Sequence, residues 1–349
     1  MLRASYNPAM AEIQFGLMMR AQFPPDDDMA KRFGELVEQA RLADRLGYAS
    51  ITKGMHYSAA PWRDLQQFPF LSRIMAEAPN LRLNFGLVLL SLHKPLDIAE
   101  QIATVDVMSG GRVIFGVALG YRDVEYLAFG TTQKERVKRF EENLEAIKRL
   151  WTEDAVDMAG SHFTLEGASV GTKPLQKPHP PIWIGANADP AIRRAARLGD
   201  CWYVNPHNRI DTIVRQVEVY KRALDECGKP FPREFPARRE VFVASSRAEA
   251  IRLCAPFLAA KYRAYDQWGQ GKAMPEGDND LGVAFDDLIR DRFLLGSPDE
   301  VAQQMRALHR ATGINHLIMS VQWPGMPQSM VLDELHLLAE EVFPRVRRG

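Results

Sequence analysis

A (β/α)8 barrel of the TIM type, an α/β fold here carrying insertions, is what this 349-residue sequence predicts. Three observations predict it. Segments of strand character alternate with segments of helical period along nearly the whole chain. Eight strand segments can be counted. Their apolar runs lack polar alternation, as strands covered on both faces require. The unit is clearest over residues 81–130. Apolar runs at 81–92 and 113–119 flank residues 95–108, where Ile98, Ala99, Ile102, Ala103, Val105 and Asp106 recur at helical spacing. Pro95 suits a first helical turn, and Ser109-Gly110-Gly111 closes the helix because glycine takes the left-handed cap conformation without a Cβ penalty. A doubly wound open sheet is the alternative, but no dinucleotide fingerprint opens the first helix.

The other elements follow in order. Residues 13–19 form the first strand, a proline-rich loop covers 20–28, and a helix buries Phe33, Leu36, Val37, Ala40, Ala43 and Leu46 before Gly47 stops it. A strand at 48–52 leads to a loop with Lys53, Met55, His56 and Trp62, then to a helix at 66–77. A long helix from about 133 presents Phe140, Leu144, Ile147 and Trp151, and 155–165 reads as a β-hairpin with Gly160-Ser161 at its tip. A strand at 181–186 precedes a helix to Gly199, which Asp189 caps with Pro190 at its first position. Strands at 200–204 and 236–244 enclose a helix at 210–227. A helix starts from Ser246, and the Gly/Asp/Pro-rich stretch 267–280 reads as an inserted mobile loop. Ser297-Pro298-Asp299-Glu300 is a capping box, opening a helix that runs to Thr312. A last strand at 316–321 and a helix at 328–343 complete the count. The domain organisation expected is an arm at 1–12 and a single barrel domain at 13–345, with insertions at about 155–175 and 256–291.

Totals narrow the function. Lys plus Arg and Asp plus Glu number 44 each, so no extended basic field invites nucleic acid. Three cysteines without paired spacing suit a reducing compartment, and no apolar run approaches a membrane span, so a cytoplasmic protein is expected. In a barrel of this type the active site lies at the carboxyl ends of the strands. That prior selects Met19 and Arg20, residues 53–56, 91–93, 120–122, 186–189 and 205–207, Ser245, Gln322 and Trp323. No close carboxylate pair and no nucleophile with its base stands out among them. The eight histidines are scattered without a metal-ligand motif, so no metal is expected. A site lined by apolar groups and glycines suits a bulky flat cofactor that brings its own reactivity.

The stretch MSGGRVIFGVALGYRDVEYLAFG (108–130) resembles the signature of the bacterial luciferase-like, flavin-dependent monooxygenases. So do LGYASITKGMHYS (46–58), PPIWIGANADPAIRRAARLGD (180–200), and GSPDEVAQQM ahead of a strand ending in VQWPGMP. The resemblance covers roughly residues 13 to 325 in order. It implies a TIM barrel that binds FMN or a deazaflavin at the strand carboxyl ends.

Carried over residue by residue, it places a non-proline cis peptide against the flavin at Gly86-Leu87. It also places a phosphate cradle at Gly185, Ala186, Asn187, Ala188 and Asp189, where backbone N–H groups open a helix. Of the two adjacent histidines that follow the second strand in luciferases, the first is Met55 here, which leaves His56 as the catalytic candidate. A phosphate-contacting arginine of luciferases falls at Leu119, with Arg122 as a possible replacement. Gly120 and Tyr121 would meet the ring, and Trp268 and Trp323 would serve a lid or substrate rim.

Each residue also has an ordinary reading: a loop histidine for His56, a partner of Asp123 or Glu125 for Arg122, a helix cap for Asp189, a turn for Trp323. The activity implied is that of a two-component monooxygenase. Reduced FMN would come from a partner flavin reductase, and dioxygen would oxygenate a small apolar or aromatic substrate through a flavin hydroperoxide, in a homodimer. The alternatives are a deazaflavin-dependent hydride transferase, which Arg193 and Arg194 would favour, and a non-catalytic flavin-binding protein.

Overall fold

A computed structural model of the protein describes residues 12–348. The arm expected at 1–12 therefore lies, apart from Glu12, outside the described residues. Eight parallel strands close on themselves: β1 (Gln14–Met18), β2 (Ser50–Lys53), β3 (Arg82–Phe85), β4 (Val113–Ala118), β5 (Ile182–Ala186), β6 (Cys201–Val204), β7 (Pro236–Val243) and β8 (His316–Ser320). Each pairs with its neighbour in sequence, β4 meets β5, and β8 returns to β1, where Gln14 registers with His316. The (β/α)8 barrel is thus the observed fold. All eight barrel strands fall where the sequence puts them, with ends moved by at most two residues except at the carboxyl end of β3.

Around the barrel run α1 (Met29–Arg45), α2 (Gln67–Ile74), α3 (Pro95–Met108), α4 (Arg136–Thr152), α5 (Asp189–Leu198), α6 (Ile210–Glu226), α7 (Arg247–Gln267), α8 (Pro298–Thr312) and α9 (Gln328–Leu337). Their apolar faces and the outward side chains of the strands form one continuous core. Met18, Ile114, Trp183, Tyr203 and Ile318 form a second apolar layer. At the amino end of the barrel, the buried imidazole of His316 bridges Ser50 (2.7 Å) and Glu234 (2.7 Å). No helix among the described residues is long and apolar enough to cross a membrane.

Three local expectations are corrected, and one element is new. The apolar run at 81–92 is not one strand: β3 ends at Phe85, the Gly86-Leu87 peptide is cis, and the chain resumes as a two-residue strand, Val88–Leu89, and a 3-10 turn, Leu90–Leu92. Hydrophobicity reports burial here and is silent on direction. The insertion expected from residue 256 begins later, because α7 continues through Pro256 to Gln267. A helix interior tolerates proline at the loss of one hydrogen bond when packing holds both halves. Asp189 is not the cap of α5: Ala188 occupies that position without a side-chain bond, and Asp189 pairs with Arg215 at 2.7 Å. A three-residue strand, Leu294–Gly296, pairs with β7 and was not foreseen. The hairpin (Val156–Ala159 with Thr164–Ala168) and the capping box at Ser297 and Glu300 are present.

Gly116 shows how tightly β4 backs the cis segment. A Cβ there would lie 2.8 Å from the Phe85 carbonyl oxygen and 2.9 Å from the Gly86 Cα, both backbone atoms that cannot rotate away. Gly116→Ala should lower the stability measured by urea unfolding by about 2 kcal/mol, an overpacking cost. An unchanged midpoint would show that the cis segment yields easily.

Candidate active site

The carboxyl ends of the strands open into a cavity of about 340 Å³. Backbone and small side chains make much of its wall: Gly86-Leu87 after β3, Gly120 after β4, and Gly185 to Ala188 at the end of β5. Two of these glycines answer to geometry. A Cβ on Gly185 would meet Leu87 Cδ1 at 2.2 Å, and Gly120 has φ +86° with the Tyr126 hydroxyl 3.2 Å from where a Cβ would stand. At Gly120 the left-handed backbone calls for glycine, and at Gly185 the Leu87 side chain would have to move to admit a Cβ.

His56 lines the cavity from the loop after β2. Its Nδ1 lies 3.3 Å from Glu125 Oε1, and that oxygen also accepts the Tyr57 backbone N–H at 2.9 Å. Glu125 is buried on the short helix Asp123–Ala128, so a fixed carboxylate sets the orientation of the imidazole. The rings of Tyr121, Tyr265 and Trp268 stand 5.3–6.1 Å from it.

Arg122 is drawn away from the cavity. Its guanidinium donates to the carbonyls of Tyr57 (2.7 Å) and Ser58 (3.0 Å), lies 3.5 Å from Glu125, and sits 4.3 Å from the Trp268 ring centroid. It is a clamp for the His56 loop and does not line the cavity, which corrects the phosphate role expected for it. Trp268 likewise stands behind that wall, its Nε1 donating to the Ala60 carbonyl at 3.0 Å. Trp323 is corrected further: it is 1% exposed, donates to Glu240 Oε2 at 2.6 Å and packs on Phe242. The chain turns inward after β8, so the residue expected on the rim closes the core. Asp189 is held by Arg215, while Asn187, Ala188 and Ala191 face the cavity.

Several lining groups were outside the final site expected from sequence. Tyr203 precedes the strand end and points inward. Arg136 opens α4, and the segment from Gln270 to Met274 covers the cavity from a loop far along the chain. His207, on the loop after β6, belonged to the strand-end group. Burial pushes its imidazole well below the ordinary histidine range, and Lys261, Arg238, Arg20 and Arg292 add to the effect, so it is neutral. Tyr121 and Tyr203 line the cavity, their hydroxyls are buried without a hydrogen-bond partner, and burial raises both phenols, so they stay protonated. Tyr203 could have been found by the inward alternation of its strand; the covering loop carries no such signal.

Comparison with known proteins agrees with this geometry. Residues 13–316 match the luciferase-like monooxygenase family. The chain is 28% identical over 297 residues to an FMNH2-dependent dimethylsulfone monooxygenase of Pseudomonas putida, covering 80% of each chain. It is 29% identical over 371 aligned positions to an F420-dependent glucose-6-phosphate dehydrogenase of Mycolicibacterium fortuitum, covering 97% of this chain and 99% of that one. The crystal structure of a monooxygenase from Streptomyces bottropensis superposes with a TM-score of 0.84 at 24% identity, covering 95% and 99% of the two chains, and shows the same fold. The match over residues 13–316 takes in seven of the eight strands, reaches the start of β8 and includes every residue that lines the cavity, and the chain therefore belongs to the luciferase-like monooxygenase family.

Proposed function

We propose that this chain is the oxygenase component of a two-component monooxygenase, taking reduced FMN from a separate reductase and oxygenating a small organic substrate. The observation that carries the reading is the backbone-walled slot over Gly86-Leu87, enclosed by Tyr265 and the Gln270 to Met274 segment. Its walls fit a flat ring: the glycines leave room that any side chain would fill, and the Tyr121 and Tyr203 hydroxyls are unpaired donors for ring heteroatoms. The start of α5 turns its positive dipole end toward the cavity beside Asn187 and Ala188, suited to the cofactor phosphate.

When bound, reduced FMN supplies the electrons that activate dioxygen, one oxygen atom entering the substrate and the other leaving as water. The residues of this chain do the rest. Gly86-Leu87 and Gly185 seat the ring, the covering segment excludes bulk water, and His56, oriented by Glu125, moves a proton at its Nε2. His207 offers a second, neutral imidazole. The protein acts in the cytoplasm as a homodimer.

A deazaflavin carries a longer acidic tail and needs cations beyond the α5 terminus. Those near it are engaged: Arg194 with Glu141 at 2.9 Å, Arg193 with Glu226 at 3.5 Å and Arg215 with Asp189 at 2.7 Å. This favours FMN. Anaerobic titration with reduced FMN and with reduced deazaflavin, followed by mixing with aerated buffer and candidate substrates, tests the reading. Tight binding of reduced FMN with oxygen-dependent product formation is the expected result. Tight binding of reduced deazaflavin alone would favour hydride transfer, and tight binding of oxidised FMN without turnover a flavin carrier.

A further inference from the structure

From a recess beside the flavin slot we infer that the substrate carries an anionic group, a carboxylate or sulfonate, received by Arg20 and Arg238. The inference deepens the proposed function and rests on it for the identity of the reaction. The recess has a volume of about 40 Å³ and shares Gly54, His56, Arg238 and Tyr265 with the main cavity. That is room for roughly three water-sized atoms, the bulk of a carboxylate.

Its charges do not cancel by contact. Lys53 pairs with Asp64 at 2.9 Å, and Lys261 pairs with Glu240. Among the described residues Arg20 has no carboxylate at ion-pair distance, and Arg238 shares Glu240 with Lys261, so two carboxylates face four cations. Arg20 is 3% exposed and spends only Nη1, on Gln22 (2.7 Å) and the Tyr265 hydroxyl (3.0 Å); its Nε and Nη2 have no partner. Arg238 donates through Nε to Ser320 at 2.8 Å, its Nη2 is buried without a hydrogen bond, and its nearest carboxylate, Glu240, is 3.7 Å away.

Buried guanidinium N–H groups are costly to leave unmade, and two beside one recess form a fork-shaped receptor for an oxyanion. Topology separates this receptor from the α5 terminus. Arg20 follows β1 and α5 follows β5, and these strands stand on opposite sides of the eight-stranded ring. A flavin phosphate and a substrate anion can therefore be held at once, with the ring between them.

The test compares matched probes on the flavin-free protein and on protein saturated with oxidised FMN: benzoate against benzamide, and methanesulfonate against dimethyl sulfone, by calorimetry and thermal shift. The anions should bind and raise the unfolding midpoint, the neutral isosteres should not, and Arg20→Met or Arg238→Met should weaken anion binding at least tenfold. The exposed Arg252→Met should leave it unchanged. If a methionine variant does not fold, Arg20→Lys and Arg238→Lys decide: weakened binding supports the receptor, and unchanged binding overturns it. Equal binding of the neutral probes, or anion binding that survives both replacements, also overturns it. Reduced-FMN titration of the same proteins separates the two proposals. Lost anion preference with intact flavin binding sinks only this one, and anion binding without flavin binding sinks only the flavin reading.

Discussion

Replacing His56 by alanine should lower turnover by roughly 10²–10⁴-fold, the usual contribution of a positioned general acid or base, while leaving flavin affinity nearly unchanged. The split follows from what holds each part. The ring rests on the backbone of Gly86-Leu87 and Gly185, which the substitution does not touch. The imidazole reaches the cavity from a loop secured elsewhere, by the Arg122 bonds to the Tyr57 and Ser58 carbonyls. Loss of the ring therefore removes a proton carrier without unfastening the wall. Glu125→Gln is the finer probe. It keeps the size and the hydrogen bond from Tyr57 N, but replaces the carboxylate 3.3 Å from His56 Nδ1 by an amide, so the imidazole is held less firmly and turnover should fall, by less than in His56→Ala. Turnover against pH and the ratio of product to oxygen consumed are the measurements. If His56→Ala turned over at the wild-type rate, His56 would be a loop histidine and the proton would have to pass through His207.

The same residues show what a sequence makes legible. Strand order, the helical faces and the carboxyl-end location of the site follow from periodicity and barrel topology, and they reproduce the observed fold through β8. Gly86, Leu87, Gly120, Tyr121 and Gly185 through Ala188 line the cavity where strand-end reasoning and the family resemblance placed them. Direction of side chains is what eludes such reading. Arg122 and Trp323 occupy strand ends as expected, yet one is drawn to loop carbonyls and the other to a buried carboxylate, partners distant in sequence. Glu125 and Arg238 carry no local pattern at all. Their roles arise when a loop and a strand 69 and 82 residues away, bearing His56 and Ser320, close around them.

Glu240→Gln should have the largest effect on stability, a loss of about 3–5 kcal/mol, because it breaks a buried ion pair from one side. Glu240 is fully buried on β7. Its Oε1 pairs with Lys261 of α7 and its Oε2 accepts the Trp323 indole N–H. Glutamine can keep the indole bond but leaves Lys261, Arg20 and Arg238 with no buried carboxylate among them. Replacing the pair together, Glu240→Leu with Lys261→Met, should recover only part of the loss, since it removes the Lys261 charge but leaves Arg20 and Arg238 without Glu240 and the Trp323 indole N–H without its acceptor. Acid sensitivity gives an independent readout. Burial pushes the Glu240 carboxyl up, but Lys261, Arg238 and Arg20 outweigh it and bring it from 4.5 down to about 2. A carboxyl depressed on folding contributes stability that is complete above its unfolded value and is lost as pH falls through the folded one. Urea midpoints should therefore separate wild type from Glu240→Gln most widely above pH 4.5 and converge toward pH 2. A gap that persisted at pH 2 would assign the loss to packing around Trp323 and not to charge. Because Lys261 and Tyr265 lie one turn apart on α7, the pair also fixes the helix that roofs the cavity, so the variant should loosen flavin binding before it unfolds.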